Sequence, residues 1–385
     1  MSNTYDNNSI SQLKGADRVR KRPEALLGSR GIDGAIHTIQ EIIGNSTDEK
    51  LSGYGDKLDI CYYEDGSISV RDYGRGVPLG WNEKEKNWNY LLIYSELYAG
   101  GKYGDNQKLL KGIEESDAWS TFKIMDHPYL ISIGLNGLGG ACTQYTSEFF
   151  NVTSYRDGKA STMRFKKGVA VMDELEVTDT NEPNGTYIHW KPDDEVFTST
   201  DIPVKWFETT CKALSFVSGF TVNLTINGKL KVFEKSSIEE EMEKQQGNCV
   251  YTNAFRHIVD STGDICICDL KVAIGPSGLS QDYYHNMVSV RGGAHAQGVY
   301  SAYSYFFREV SNDKGIRLTE RDYAGKFSVI VSTLANKASL RNQTKDSIDD
   351  AWIAEFIADT MFQMMYKEYN KGCLLYTSDA ADDKA

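Results

Sequence analysis

The chain has 385 residues and carries 42 basic against 54 acidic side chains, a net charge of −12. With 40% hydrophobic and 25% charged residues it has the composition of a folded soluble chain, which excludes a disordered or collagen-like one. The acidic balance excludes a long-range, non-specific nucleic-acid binder, so any DNA contact needs a local basic surface. At ~150 residues per domain the length fits two or three domains.

The first residues, MSNTYDNNSISQLKG, lack the apolar core of a secretory signal. No run approaches the ~20 apolar residues of a membrane span. The expected compartment is the cytoplasm, with no membrane contact. The seven cysteines (61, 142, 211, 249, 266, 268 and 373) form no CxxC pair, which argues against zinc. Cys266 and Cys268 fall on one face of a strand and read as small buried hydrophobes.

Residues 15–30 form a basic lead-in. The spacing of Ile36, Ile39, Ile42 and Ile43 predicts an amphipathic helix over 35–51. Alternation at Leu58, Ile60 and Tyr62, the EDG turn, and Ile68 and Val70 predict a hairpin over 57–72, followed by the loop DYGRGVP. A helix is expected over 88–98, and 104–130 reads as polar and irregular. The glycine cluster IGLNGLGG (133–140) opens into strands over 146–190, then a helix over about 202–216. A domain boundary is expected at SGF (218–220), with TVNLTING and KLKVFEK as the first strands of the second half. There NMVSVRGG, a helix over 294–310 and the strand KFSVIVSTL suggest a right-handed βαβ crossover. A last helix is expected over 350–370, with Ile353, Phe356, Ile357, Met361 and Met364 on one face. The final CLLYTSDAADDKA resembles the translation of a sequencing adaptor, so 373–385 are expected to be non-native and the gene to continue past the fragment.

Glu41 and Asn45 lie four apart and are neighbours on a second face of the first long helix, which Asp48 continues. Such a face is either simply solvated or functional. In the functional case Glu41 orients or deprotonates a water and the Asn45 amide oxygen holds a divalent ion. Mg²⁺ suits that arrangement because it takes only one or two protein oxygens beside phosphates and waters. Asp72 ends a hydrophobic strand and opens DxGxG. A carboxylate there can accept a hydrogen bond from an exocyclic amine such as adenine's, while Gly74 and Gly76 admit a flat ligand close to the backbone. The same string also fits a plain tight turn fixed by Arg75 and Pro78. The glycine loops at 99–102 and 134–140 can present backbone N–H groups to phosphates, though no GK[ST] makes either a Walker loop. Gln343-Thr344-Lys345 offers either a surface charge or a cation for a terminal phosphate.

In this order, SNTYDNNSI with LKGADRVRKRP, EIIGNSTDE, SVRDYGRGVP, YAGGKYGD, IGLNGLGG, NGTYIHW, MVSVRGGAHAQG and NQTKD resemble one family over residues 1–372. It is the B-type subunits of bacterial type II DNA topoisomerases (gyrase and topoisomerase IV), within the GHKL ATPases. The resemblance implies an α+β fold: a GHKL-type α/β sandwich over 1–219 with a dimerisation arm at 1–20, then a transducer domain over 220–372 with a βαβ crossover, ribosomal-protein-S5-like. It implies ATP and Mg²⁺, and a homodimeric clamp closed through its N-terminal arms that drives passage of double-stranded DNA. It also implies an A-type partner subunit in an A2B2 assembly.

By the same resemblance Glu41 is the general base, Asn45 the Mg²⁺ ligand and Asp72 the adenine reader. Gly76 and Pro78 line the base pocket, Thr186 supports the adenine through water, and Gly134, Leu135, Asn136, Gly137, Leu138 and Gly139 form the lid over the triphosphate. Lys102 lies in the other glycine loop, Gln343 and Lys345 sense the γ-phosphate, and Tyr5 reaches the partner's nucleotide. The chain departs from the family at Gly44, where aspartate is usual, at Tyr98 and Asn136, where histidines are common, and at Arg291, which replaces a glutamate. It departs again at 104–130, longer than the usual linker. Two rivals are other GHKL enzymes of the MutL, chaperone or histidine-kinase type, and a nucleotide-binding clamp with little turnover.

Overall fold

The computed structural model describes residues 12–13, 15–101, 106–127, 129–132, 134, 137–276, 278, 280–319, 326–339 and 347–371. The chain is α+β, with two main sheets. The first elements among the described residues are two single-turn helices, α1 (Asp17–Arg20) and α2 (Glu24–Leu27), and a long helix α3 (Ile32–Leu51). A hairpin follows, β1 (Lys57–Tyr62) and β2 (Ile68–Asp72), paired Leu58 to Asp72 as the alternation requires. A small ribbon, β3 (Trp81–Asn82) and β4 (Asn87–Trp88), leads to α4 (Asn89–Ser95), α5 (Gln107–Glu115) and α6 (Gly139–Tyr145). Then come β5 (Ser147–Arg156), β6 (Lys159–Lys166), β7 (Val169–Ala170), β8 (Glu176–Asp179), β9 (Gly185–Pro192), α7 (Val204–Val217), β10 (Thr221–Ile226) and β11 (Lys229–Phe233).

The first sheet has nine strands in the order β11-β10-β1-β2-β9-β5-β6-β7, with β8 on β6. Only one face of β1 and β10 is fully buried: Leu58 and Ile60, Val222 and Leu224. Against that face pack Ile39, Ile42 and Ile43 of α3 and Phe207, Cys211 and Leu214 of α7. Ile36 sits at the rim of the same cluster, so the isoleucine stripe is the buried face of α3.

Two expectations about the first half of the chain need correction. The break at 219/220 falls inside this sheet, because β10 pairs in parallel with β1 from Lys57 to Tyr62. The apolar face of TVNLTI completes the core beside β1, and β11 closes the edge. Residues 104–130 are also not wholly irregular. Among the described ones lie α5 and two short 3-10 turns at Ala118–Ser120 and Ile124–Asp126.

The second sheet holds β12 (Val250–Val259), β13 (Ile265–Gly275), β14 (Gln281–His285), β15 (Val288–Val290) and β16 (Ser328–Ala335), in the order β12-β13-β16-β14-β15. Helices α9 (Gly293–Lys314) and α10 (Ala351–Asn370) bury Phe306, Phe356, Ile357 and Met361 against Leu270, Val272 and Val331. On the other face α8 (Ile238–Gln246) packs Ile238 and Met242 on Ala273, Tyr284 and Ile330. The strand entering the glycine turn, β15, is not the parallel member of the crossover. It folds back antiparallel on β14, and β14 pairs in parallel with β16 across α9. Asn286 and Met287, both at positive φ, make the reversal. Cys266 and Cys268 are both buried, as expected.

Where α9 meets β14 and β16, His295 of the helix and His285 of β14, both buried, share Thr333. His285 Nδ1 and His295 Nε2 each lie 2.9 Å from its hydroxyl. The Tyr284 carbonyl can only accept, so His295 Nε2, 3.1 Å away, carries the proton. His295 Nδ1 is then a bare acceptor, buried with no donor beside it among the described residues. Burial pushes His285 down to about 3 and His295 to about 4.

Candidate functional site

One cavity of about 350 Å³ opens between α3, the end of β2, β9 and the glycine loops. Helical spacing puts Glu41, Asn45 and Glu49 on the face of α3 that lines it. Glu41 Oε1 lies 2.9 Å from His37 Nε2, one turn earlier and buried. Glu41 Oε2 abuts the start of α6, where a Cβ on Gly139 would lie 2.1 Å from it. Only glycine fits there without displacing the carboxylate. Asp48 is buried behind the cavity and holds its glycine loop, accepting from Ser132 Oγ (2.9 Å) and Gly134 N (3.2 Å).

Asp72 has the strand parity of Ile68 and Val70, so its side chain points to the helix side of the sheet. Its Oδ1 accepts from the amides of Gly74 (2.9 Å) and Thr186 (3.1 Å). Its Oδ2 has a long bond of 3.5 Å from Ser46 Oγ. Burial pushes the carboxyl up to about 6, against the pull of the two amides. Thr186 Oγ1 accepts from Val77 N at 3.1 Å, tying β9 to the loop after β2. The closeness of these strands rests on Gly185, at φ +146°, where a Cβ would lie 2.1 Å from the Asp72 carbonyl oxygen. Gly185→Ala is expected to destabilise the fold by about 2 kcal/mol or more through backbone strain, a fall in Tm of roughly 4–8 °C. Calorimetry checks it; an unchanged Tm removes the contact as a constraint.

At the mouth, Arg75 grips Glu49 through Nε (2.9 Å) and Nη2 (2.8 Å), and also meets the Tyr129 hydroxyl. Burial works to raise the Glu49 carboxyl, but the Arg75 bonds outweigh it and hold it below its usual value. The Arg75 guanidinium lies 4.3 Å over the Tyr54 ring. Arg156, from the end of β5, lines the cavity and donates to the Gly76 carbonyl at 3.1 Å.

The cavity thus gathers Glu41, Asn45, Asp72, Gly76, Pro78, Gly134, Gly137, Leu138, Gly139 and Thr186 from the residues read off the sequence. Tyr5, Lys102, Leu135, Asn136, Gln343 and Lys345, and residues 373–385, lie outside the described residues. Sequence reasoning missed His37 and Glu49, although both sit at helical spacing from Glu41. It also missed Arg156, whose local sequence carries no signal.

No protein-family model matches the chain. The B subunit of DNA gyrase from Halalkalibacterium halodurans is 27% identical over 385 residues, covering 95% of this chain and 56% of that protein. The B subunit of DNA topoisomerase 4 from Staphylococcus epidermidis is 36% identical over 198 residues, 51% of this chain and 26% of that one. The chain is a homologue of the B subunits of DNA gyrase and topoisomerase IV. It spans just over half the length of the gyrase B subunits it matches. Among solved structures, the ATP-binding domain of Francisella tularensis topoisomerase IV has a TM-score of 0.66 at 20% identity, covering 96% of this chain and 98% of that one. The 43K ATPase domain of Thermus thermophilus gyrase B, solved with an aminocoumarin, has a TM-score of 0.64 at 19% identity, covering 96% and 95%. These two structures share the fold of this chain. No helix among the described residues is long and apolar enough to cross a membrane.

Proposed function

We propose that this chain binds and hydrolyses ATP as the ATPase part of a B subunit of a type II topoisomerase. The observation that carries the reading is the pairing, in one cavity, of a buried carboxylate at one end with a histidine-held carboxylate at the other. Asp72 reads the adenine amine through Oδ2, since Oδ1 is taken by two backbone amides. The Thr186 hydroxyl stands beside it, and Gly76 and Pro78 line the base end. Glu41, held through Oε1 by His37, accepts the proton of the attacking water. The 134–139 loop covers the phosphates, joined by Lys102 of the other glycine loop.

A divalent ion fits the donor set. No group of three His, Cys, Asp or Glu is arranged for a metal among the described residues, but Mg²⁺ asks the protein for only one or two oxygens. Asn45, one turn from Glu41, is the residue that would hold it. Once bound it would neutralise phosphate charge.

The remaining assignments extend the same reading. Gln343 and Lys345 sense the γ-phosphate, and Tyr5 in the 1–20 arm reaches the partner's nucleotide in a cytoplasmic homodimer. That dimer acts on double-stranded DNA together with an A-type subunit. We place the boundary between the ATPase and transducer domains between Phe233 and Ile238, because β11 belongs to the first sheet and α8 packs on the second.

The test is Asp72→Asn. It puts a donor where an acceptor is required, and a mismatched buried pair costs about 1–3 kcal/mol, roughly 5- to 150-fold in affinity. Calorimetric titration should show that loss for ATP, with the unmodified chain preferring ATP to GTP. Equal affinities for the two nucleotides in the unmodified chain would sink the adenine-reader assignment.

A further inference from the structure

Residues 106–127 and 129–132, most of the stretch 104–130 expected to exceed the family's linker, touch both sheets. At one end Asn106 Nδ2 donates to the Tyr129 carbonyl at 3.1 Å, and Tyr129 lines the cavity with its hydroxyl between Arg75 and Glu49. Three residues on, Ser132 holds Asp48 of α3. At the other end the Gln107 amide clamps both backbone groups of Ile265, the first residue of β13. Gln107 Oε1 accepts from Ile265 N at 2.7 Å and Nε2 donates to Ile265 O at 3.1 Å.

Between the two ends runs a shared core. Leu110, Ile124, Leu130 and Ile131 are buried together with Ile265, Ile267 and Leu334 of the second sheet. On the outside Trp119 stacks on His257 of β12 at 4.2 Å and 14°. An apolar cluster reinforced by a two-bond amide clamp moves as a unit, because parting it exposes both the cluster and the backbone groups.

We propose that residues 106–132 are a coupling strap, through which occupancy of the cavity and the state of the second sheet bias each other. A shift of β13 carries Gln107 and the packed segment with it, and so moves Tyr129 and Ser132 at the cavity wall. The coupling is reciprocal, as any linkage between two sites must be. It is separate from any contact made by the 343–345 loop. The inference rests on the nucleotide reading only for its choice of ligand.

Hydrogen–deuterium exchange on the whole chain tests it in two arms. In the first, a non-hydrolysable ATP analogue with Mg²⁺ slows exchange at the Gly74 and Thr186 amides, which bond Asp72, and at the Ile265 amide. Gln107→Glu is nearly isosteric but turns a carboxylate oxygen toward the Ile265 carbonyl. It keeps the first response, loses the second, and shifts analogue affinity by roughly fivefold or more. Trp119→Ala, which leaves the clamp intact, weakens the Ile265 response partially. A full Ile265 response in both variants overturns the strap.

The second arm uses no nucleotide. Tyr129→Phe speeds exchange at Ile265, and Gln107→Glu speeds it at Arg75 and Gly134, each by roughly fivefold. If neither effect crosses between the sheets, the strap is wrong whatever the cavity binds. If they cross but the analogue leaves Gly74 and Thr186 unchanged, the strap stands and the nucleotide reading falls.

Discussion

Glu41→Gln is expected to lower ATP turnover by about 10²–10⁴-fold, the usual worth of a general base, while leaving nucleotide affinity nearly unchanged. Glutamine has the same length and can keep the 2.9 Å contact with His37 Nε2 through its amide oxygen. It still fits against Gly139, where the backbone leaves room for nothing larger than hydrogen. What it loses is the capacity to take a proton from water. His37 contacts Glu41 Oε1 and so acts by positioning the carboxylate. His37→Ala is therefore expected to cost less in turnover than Glu41→Gln. Steady-state hydrolysis and equilibrium titration of both variants check the pair. Turnover at the unmodified rate in Glu41→Gln would remove Glu41 as the base.

What could be read from the sequence was whatever a local period encodes. The isoleucine stripe of α3 and its opposite face follow from helical geometry. With α3 in place, Glu41 and Asn45 had to project together. Likewise Asp72 continues the parity of Ile68 and Val70, so its side had to be the core side. Long-range pairing was not legible. TVNLTI reads equally well as the first strand of a new sheet or the last of an old one. Only its parallel register with Lys57–Tyr62 decides, and no local pattern records that. The crossover is present, but one of its strands was misassigned for a related reason: the parallel partner of β16 lies one hairpin earlier, in β14. Residues 106–132 were illegible because their helix is short and amphipathic toward a sheet more than 130 positions downstream. Gln107, an ordinary polar residue in isolation, acquires meaning only beside Ile265. Arg156 is the same case in the cavity, placed by the end of β5 against the Gly76 carbonyl.

The second sheet is expected to lose stability on mild acidification, through His285 and His295. Both are fully buried and neutral, and burial holds them at about 3 and about 4 against an ordinary histidine value near 6.5. Protonating His295 at Nδ1 would bury a charged N–H with no acceptor beside it among the described residues. Protonating His285 would place a charge in the same buried pocket, beside His295. The unfolded chain has neither constraint and takes up both protons as pH falls through 6.5. Between pH 6.5 and about 4 the unfolded state therefore holds more protons, and stability falls with pH by up to about 1.4 kcal/mol per unit for each histidine. Above pH 6.5 both states are neutral and the effect vanishes.

Asp72 works in the opposite sense. Its folded carboxyl sits at about 6 against an ordinary 3.8, so between those values the folded state holds the extra proton and acidification stabilises it. Asp269 and Asp282, whose carboxyls burial also raises, side with Asp72, while His189, lowered by burial, sides with the two histidines, so the comparison of variants isolates the His295 contribution. Urea unfolding at pH 7, 6 and 5 measures each slope. His295→Gln keeps an amide donor for the Tyr284 carbonyl and removes one titrating group, so its slope should be shallower by about 1.4 kcal/mol per pH unit. Asp72→Asn removes the opposing contribution and should steepen it. If His295→Gln unfolds with the unmodified slope, the acid sensitivity lies elsewhere and the buried histidines titrate alike in both states.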